Sequence, residues 1–142
     1  MMNAGATTWS EQTSGPAPST WVAVCQRAEL GVERGIAALV DGHQMALFRL
    51  RDDSVHAVQQ RDPFSGANVM SRGIVGTRQG EPTVAGPMYK QVFSLRTGAC
   101  LERGSYEPVD DSADLRTWDV QVLDGVVHVR APHNGSVEDV KS

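Results

Sequence analysis

The sequence predicts an all-β domain, a small sandwich or partly open barrel, on three observations. Apolar and polar residues alternate in short runs, Asp-Gly and Asp-Asp pairs interrupt those runs, and no stretch of about 12 residues or more carries a helical apolar stripe. At 142 residues, 40% hydrophobic and 21% charged, the chain can bury one sizeable core but not two comfortable ones.

Residues 1–19 carry Gly, Pro, Ser and Thr with little to bury, so they are expected to form a flexible tail, as are residues 132–142. The folded domain is then 20–131. Trp21 to Gln26 is a β-rich run, and Arg27 to Leu30 has room only for a turn or a brief helical segment. Ile36, Ala38 and Val40 lead into Asp41-Gly42, after which Met45 to Leu50 forms a second strand. Asp52-Asp53 turns the chain into Ser54 to Gln60, so three consecutive strands make a meander. Near the end, Trp118, Val120 and Val122 alternate with Asp119 and Gln121, Asp124-Gly125 follows, and Val127 and Val129 return. That is a β-hairpin pattern, because Asp-Gly supplies the positive φ angles of a tight two-residue turn.

Between these units lies a different stretch. Residues 60–106 are rich in Gly, Pro and Arg and hold strands only a few residues long, too much chain for an ordinary hairpin loop. Long loops of this kind are where function concentrates.

Composition excludes several classes of function. No run approaches the about 20 apolar residues of a membrane-spanning helix, and the opening MMNAGATTWSEQ lacks the apolar stretch of a secretory signal, so a cytoplasmic protein without membrane contact is expected. The net charge is -4 and the arginines are not interleaved with aromatics, which argues against nucleic acid. No phosphate-binding, dinucleotide-binding or nucleophile-elbow motif occurs, so a self-contained catalytic site is not expected. Two cysteines, Cys25 and Cys100, exclude a four-thiolate site, yet with four histidines they formally suffice for a Cys2His2 metal or iron–sulfur centre. Position decides that question.

The order of parts in the middle resembles the Rieske superfamily. Rieske ferredoxins carry a first loop with Cys and His two residues apart, then Gly-Ala and a closing glycine, and a second loop reading C-P-x-H-G-x-x-F-x-L-x-T-G. Here Gly66-Ala67 and Gly73 match the first loop, and Pro87, Phe93, Leu95, Thr97 and Gly98 match the second. The four ligand positions are occupied by Asp62, Phe64, Gly86 and Tyr89. Phe64 and Gly86 offer no donor atom, and a carboxylate and a phenol do not replace two soft thiolates, so no cluster or other metal is expected in this chain.

A Rieske-like domain with this pair of altered loops is similar to the small subunit of assimilatory NAD(P)H-dependent nitrite reductase over about residues 20 to 131. The resemblance implies a large partner subunit holding FAD, an iron–sulfur cluster and siroheme, which reduces nitrite to ammonium. This chain would bind and support or regulate it without a catalytic site or cofactor of its own. Two alternatives stand beside this reading, a Rieske-type electron-transfer protein with unexpected iron ligands and a cluster-free adaptor for another oxidoreductase.

Six basic residues against three acidic ones between Arg61 and Arg103 give that segment +3, leaving -7 for the rest. A basic loop face on an acidic body steers a module toward an acidic partner. Loops 61–76 and 86–98 are therefore the expected contact surface, with Arg61, Arg72, Arg78, Lys90 and Arg96 as candidate contacts. Asp62-Pro63 is expected to do turn chemistry, Phe64 to fill the space a cluster would take, and Tyr89 to pack its ring into the same space. Cys25 reads as a small buried hydrophobe, Cys100 as a candidate exposed thiol, and the four histidines as surface or turn residues.

Overall fold

The computed structural model describes residues 19–132, with side chains from 21 to 130. Its strands are β1 (Ser19–Gln26), β2 (Gly35–Val40), β3 (His43–Arg49), β4 (Val55–Gln59), β5 (Ile74–Arg78), β6 (Glu81–Ala85), β7 (Val92–Ser94), β8 (Cys100–Glu102), β9 (Thr117–Trp118), β10 (Val120–Leu123) and β11 (Val126–Pro132). Two 3₁₀ turns, Arg27–Glu29 and Met70–Arg72, are the only helical elements among the described residues. The protein is all-β, and among the described residues no helix is long and apolar enough to cross a membrane.

Local turn chemistry sets the hairpins. Asp41 and Gly42 have φ of 52° and 84°, and Asp124 and Gly125 have 51° and 78°. Both residues of each pair are left-handed, the geometry that matches the twist of the flanking strands. The first pair joins β2 to β3 and the second joins β10 to β11. Asp52 accepts from the Ser54 N–H at 3.0 Å and the Ser54 hydroxyl at 2.6 Å, fixing the turn from β3 into β4.

The strands form three antiparallel sheets, ordered β1-β11-β10, β2-β3-β4-β9 and β5-β6-β7-β8. β3 explains how they stack. Met45, Ala46, Leu47 and Phe48 are all inaccessible to solvent, although a strand with one wet face would expose every second residue. Met45 and Leu47 pack with Val40, Ala57, Trp118 and Val129 against the first sheet, whereas Ala46 and Phe48 pack with Val58, Met70, Val84 and Phe93 against the third. The second sheet is thus the middle of three layers, and its central strand reads as a continuous apolar run because both faces are covered.

One expected hairpin is divided. The run from Trp118 to Val122 does not pair as one strand: Trp118 sits opposite Ala57 in the middle sheet, and Val120 opposite Val129 in the first. The chain changes sheets at Asp119, whose carbonyl accepts the Arg130 N–H at 2.9 Å. A strand that crosses a corner in this way keeps its alternation, so the crossing leaves no mark in the sequence pattern. At the domain's two ends Ser19 pairs with Pro132, and the rest of both expected tails lies outside the described residues.

Candidate functional site

The first loop leaves β4 at Gln60, whose buried amide ties the loop's far end. Its oxygen accepts the Ser71 N–H at 2.7 Å and its nitrogen donates to the Ser71 hydroxyl at 2.9 Å. Asp62 is fully buried. One carboxylate oxygen accepts the Phe64 N–H at 2.9 Å and the other the Ser65 hydroxyl at 3.0 Å, while its carbonyl accepts the Gly66 N–H at 2.7 Å. A buried carboxylate is tolerable when its lone pairs are engaged, and here they make an Asx turn.

The second loop folds on itself through Gly86, whose N–H donates to the Gln91 carbonyl and whose carbonyl accepts from Lys90. The loops touch at this point. A Cβ added to Gly86 would meet an Asp62 carboxylate oxygen and the Met70 sulfur at 3.7 Å, ordinary contact distance. Phe64, 2% exposed, lies in the core between the second and third sheets with its ring 6.2 Å from Phe93 and tilted by 54°. The Arg103 guanidinium lies 5.8 Å from the Phe64 ring centre.

Tyr89 departs from expectation. Its ring lies on the surface and stacks on Tyr106, centroids 4.4 Å apart and planes within 8°. The interior is occupied by Phe64, Phe93 and the buried side chain of Gln91. A phenol turned outward keeps its hydroxyl hydrated without a buried partner. Gln91 donates weakly to the Arg103 carbonyl at 3.4 Å, and its Oε1 is buried without a hydrogen-bond partner among the described residues.

These residues do not fit a [2Fe–2S] cluster. The four slots present a carboxylate already committed to its own turn, a core phenyl ring, a bare backbone and a surface phenol, where the chemistry needs two thiolates and two imidazoles. Cys25 lies on β1 and Cys100 on β8, on opposite sides of the middle sheet. No group of three or more His, Cys, Asp or Glu capable of holding a metal occurs among the described residues.

Several single-residue expectations are corrected. Cys100 is partly buried against the core rather than exposed, and burial raises its thiol above the ordinary value. His128 is buried and contacts the Val126 carbonyl at 3.1 Å through Nδ1, so it is not a surface residue.

The five candidate contact cations divide into two groups. Arg61 is exposed but held within the chain: it makes two bonds to the Asp110 carboxylate, at 2.8 and 2.9 Å, and a third to the Gly66 carbonyl at 2.9 Å. Arg78 pairs with Glu102 at 2.8 Å across the third sheet. Arg72, Lys90 and Arg96 are exposed and make no ion pair among the described residues, Lys90 donating only to the Pro87 carbonyl at 3.4 Å. Tyr106 and Asp110 were missed by sequence reasoning, and Arg103 was counted only for its charge, because each acts across a long chain separation. Tyr106 did carry a signal, as one of only two tyrosines, set in a Gly-Ser-Pro context with no apolar neighbours.

Frame and slots together define a Rieske-like domain that has kept its two loops and lost its ligands. The sequence pattern described as a Rieske-like [2Fe-2S] domain matches residues 20–130. The chain is 38% identical over 113 residues to the nitrite reductase (NADH) small subunit of Salmonella typhimurium, covering 79% of this chain and 98% of that one. The solved structure of the Escherichia coli protein NirD superposes with a TM-score of 0.67 at 35% identity, over 80% of this chain and 97% of that one. A stretch of the Klebsiella oxytoca nitrite reductase [NAD(P)H] large subunit is 38% identical over 109 residues, 77% of this chain and 11% of that protein. This chain belongs to the nitrite reductase small-subunit family of Rieske-like domains.

Proposed function

We propose that this chain is the small, non-catalytic subunit of a cytoplasmic NAD(P)H-dependent nitrite reductase. It binds and supports a large subunit that carries FAD, an iron–sulfur cluster and siroheme and converts nitrite to ammonium. The observation that carries this reading is the combination of close kinship to small subunits over nearly their whole length with ligand slots that hold no soft donor. Among the described residues of this chain no ligand set offers an electron relay a place to reside. Its contribution is contact, and loops 61–76 and 86–98 supply the surface, with Arg72, Lys90 and Arg96 as the available cations.

The test is recovery and reconstitution. Affinity capture of the full chain from its own cells should recover a siroheme protein, and nitrite-dependent NAD(P)H oxidation by the purified large subunit should change when the chain is added. Recovery of a different oxidoreductase, with no effect on nitrite reduction, would favour the adaptor reading instead.

A further inference from the structure

We infer that the large subunit is held by an aromatic tip centred on the stacked Tyr89 and Tyr106, extended by Met88 and Ile74 and edged by Arg72 and Lys90; this rests on the small-subunit reading above. Four exposed large hydrophobic residues make up this tip: Ile74 is 66% exposed, Met88 50%, Tyr106 47% and Tyr89 39%. None of these four side chains belongs to a core cluster. Ile74 pairs with Ala85 at the end of β6, and the chain passes directly from there through Gly86 and Pro87 to Met88 and Tyr89, so the four share one end of the third sheet.

Two parallel rings held face to face on a surface gain nothing from core burial and cost the protein exposed apolar area. They do arrive at a partner already ordered. Rigid aromatic side chains lose little conformational entropy on docking, which is why tyrosine dominates the centres of interfaces. The partner's matching feature is an apolar recess with a carboxylate edge, since Arg72 and Lys90 carry charge that no acidic group among the described residues neutralises. The chain as a whole is acidic at -4, so this local reversal orients the approach.

The large subunit is the occupant favoured by the layering. In the Klebsiella protein a domain of this kind shares one polypeptide with a large subunit. Here β1 and β11 begin and end side by side in the first sheet, with Ser19 opposite Pro132, while the tip belongs to the third. A covalent tether at the first sheet leaves the tip clear to seat on the same partner.

The experiment titrates the large subunit from the same genome with the full chain, following association and dissociation in real time at two salt concentrations. Tyr89→Ala and Tyr106→Ala should each weaken binding by about tenfold or more, with Tyr→Phe at either position retaining it. Met88→Asp should weaken it as well, providing a variant that does not depend on the ring stack. Arg72→Glu with Lys90→Glu should slow association and flatten its salt dependence. Leu39→Ala, an exposed position in the second sheet near the end of β2 away from the Met70–Arg72 turn, should leave binding within about twofold. Melting curves for each variant separate lost contact from lost fold. Wild-type binding that is indifferent to Tyr89, Tyr106 and Met88 overturns the tip while leaving the subunit reading standing. Absence of wild-type binding overturns both, and self-association that vanishes in Tyr89→Ala assigns the surface to a second copy and overturns the large-subunit assignment.

Discussion

Putting phenylalanine where a Rieske loop keeps a ligand changes what holds that loop closed. A cluster joins its two loops by metal bonds; here Phe64 joins them by burial against Phe93, Met70 and Val84. Truncating a fully buried phenylalanine removes its transfer free energy and leaves a cavity, about 3 to 5 kcal/mol together. Phe64→Ala should therefore lower the Tm by more than about 10 °C in calorimetry, and an unchanged Tm would contradict this role. Asp62 and Tyr89 show how far a sequence reaches at this scale. The Asp62 turn closes within a few residues and was legible, because the acceptor, the Phe64 N–H and the Ser65 hydroxyl are neighbours in the chain. The outward turn of Tyr89 was not legible. It depends on Tyr106 in another segment and on Gln91 and Phe93 occupying the interior.

Among the elements, the turn between β7 and β8 carries the tightest constraint. Gly98 has φ of 82°, its carbonyl accepts the Leu115 N–H at 2.8 Å, and a Cβ there would fall on the Leu115 carbonyl oxygen. Gly98→Ala should cost more than about 1 kcal/mol, read as a lower denaturation midpoint, since both the positive φ and the close approach penalise a side chain. β4 carries a pH response. Burial pushes the half-buried His56 imidazole below its ordinary value; Asp52 pulls it upward, and Arg96 adds to the fall. The unfolded chain then takes up the proton more readily than the folded one, so the neutral ring's stability is present above about pH 6.5 and lost as pH falls through the lower folded value. Tm should drop between about pH 7.5 and 5.5, and His56→Gln should flatten that drop. The meander and the last turn were legible because Asp-Gly chemistry is local. The third sheet was not, since β7 and β8 are three residues each and take their strand form from the sheet they complete. Its first hairpin did leave a trace, Gln79-Gly80 with φ of 54° and 84°.

At the scale of the whole molecule, three sheets stack in layers: one core lies between the first and second sheets, and another between the second and the third, which the two loops join. The all-β class was readable from alternation and turn residues and the two-loop frame from its resemblance to Rieske loops, whereas the three-layer stacking required the structure: Met45 to Phe48 is a continuous apolar run, but the run does not say which sheet covers which face. Arg61 illustrates the same limit: the sequence offered it as a contact cation, and the fold closes it onto Asp110. The molecule keeps the frame of an iron–sulfur domain while its ligand slots hold a turn-forming carboxylate, a core phenyl ring, a bare backbone and a surface phenol. The most direct measurement is iron and acid-labile sulfide per chain, with the visible spectrum, on the full protein purified from iron-replete cells. A colourless chain with neither iron nor sulfide is the expected result; two irons per chain with absorption between about 400 and 600 nm would contradict it.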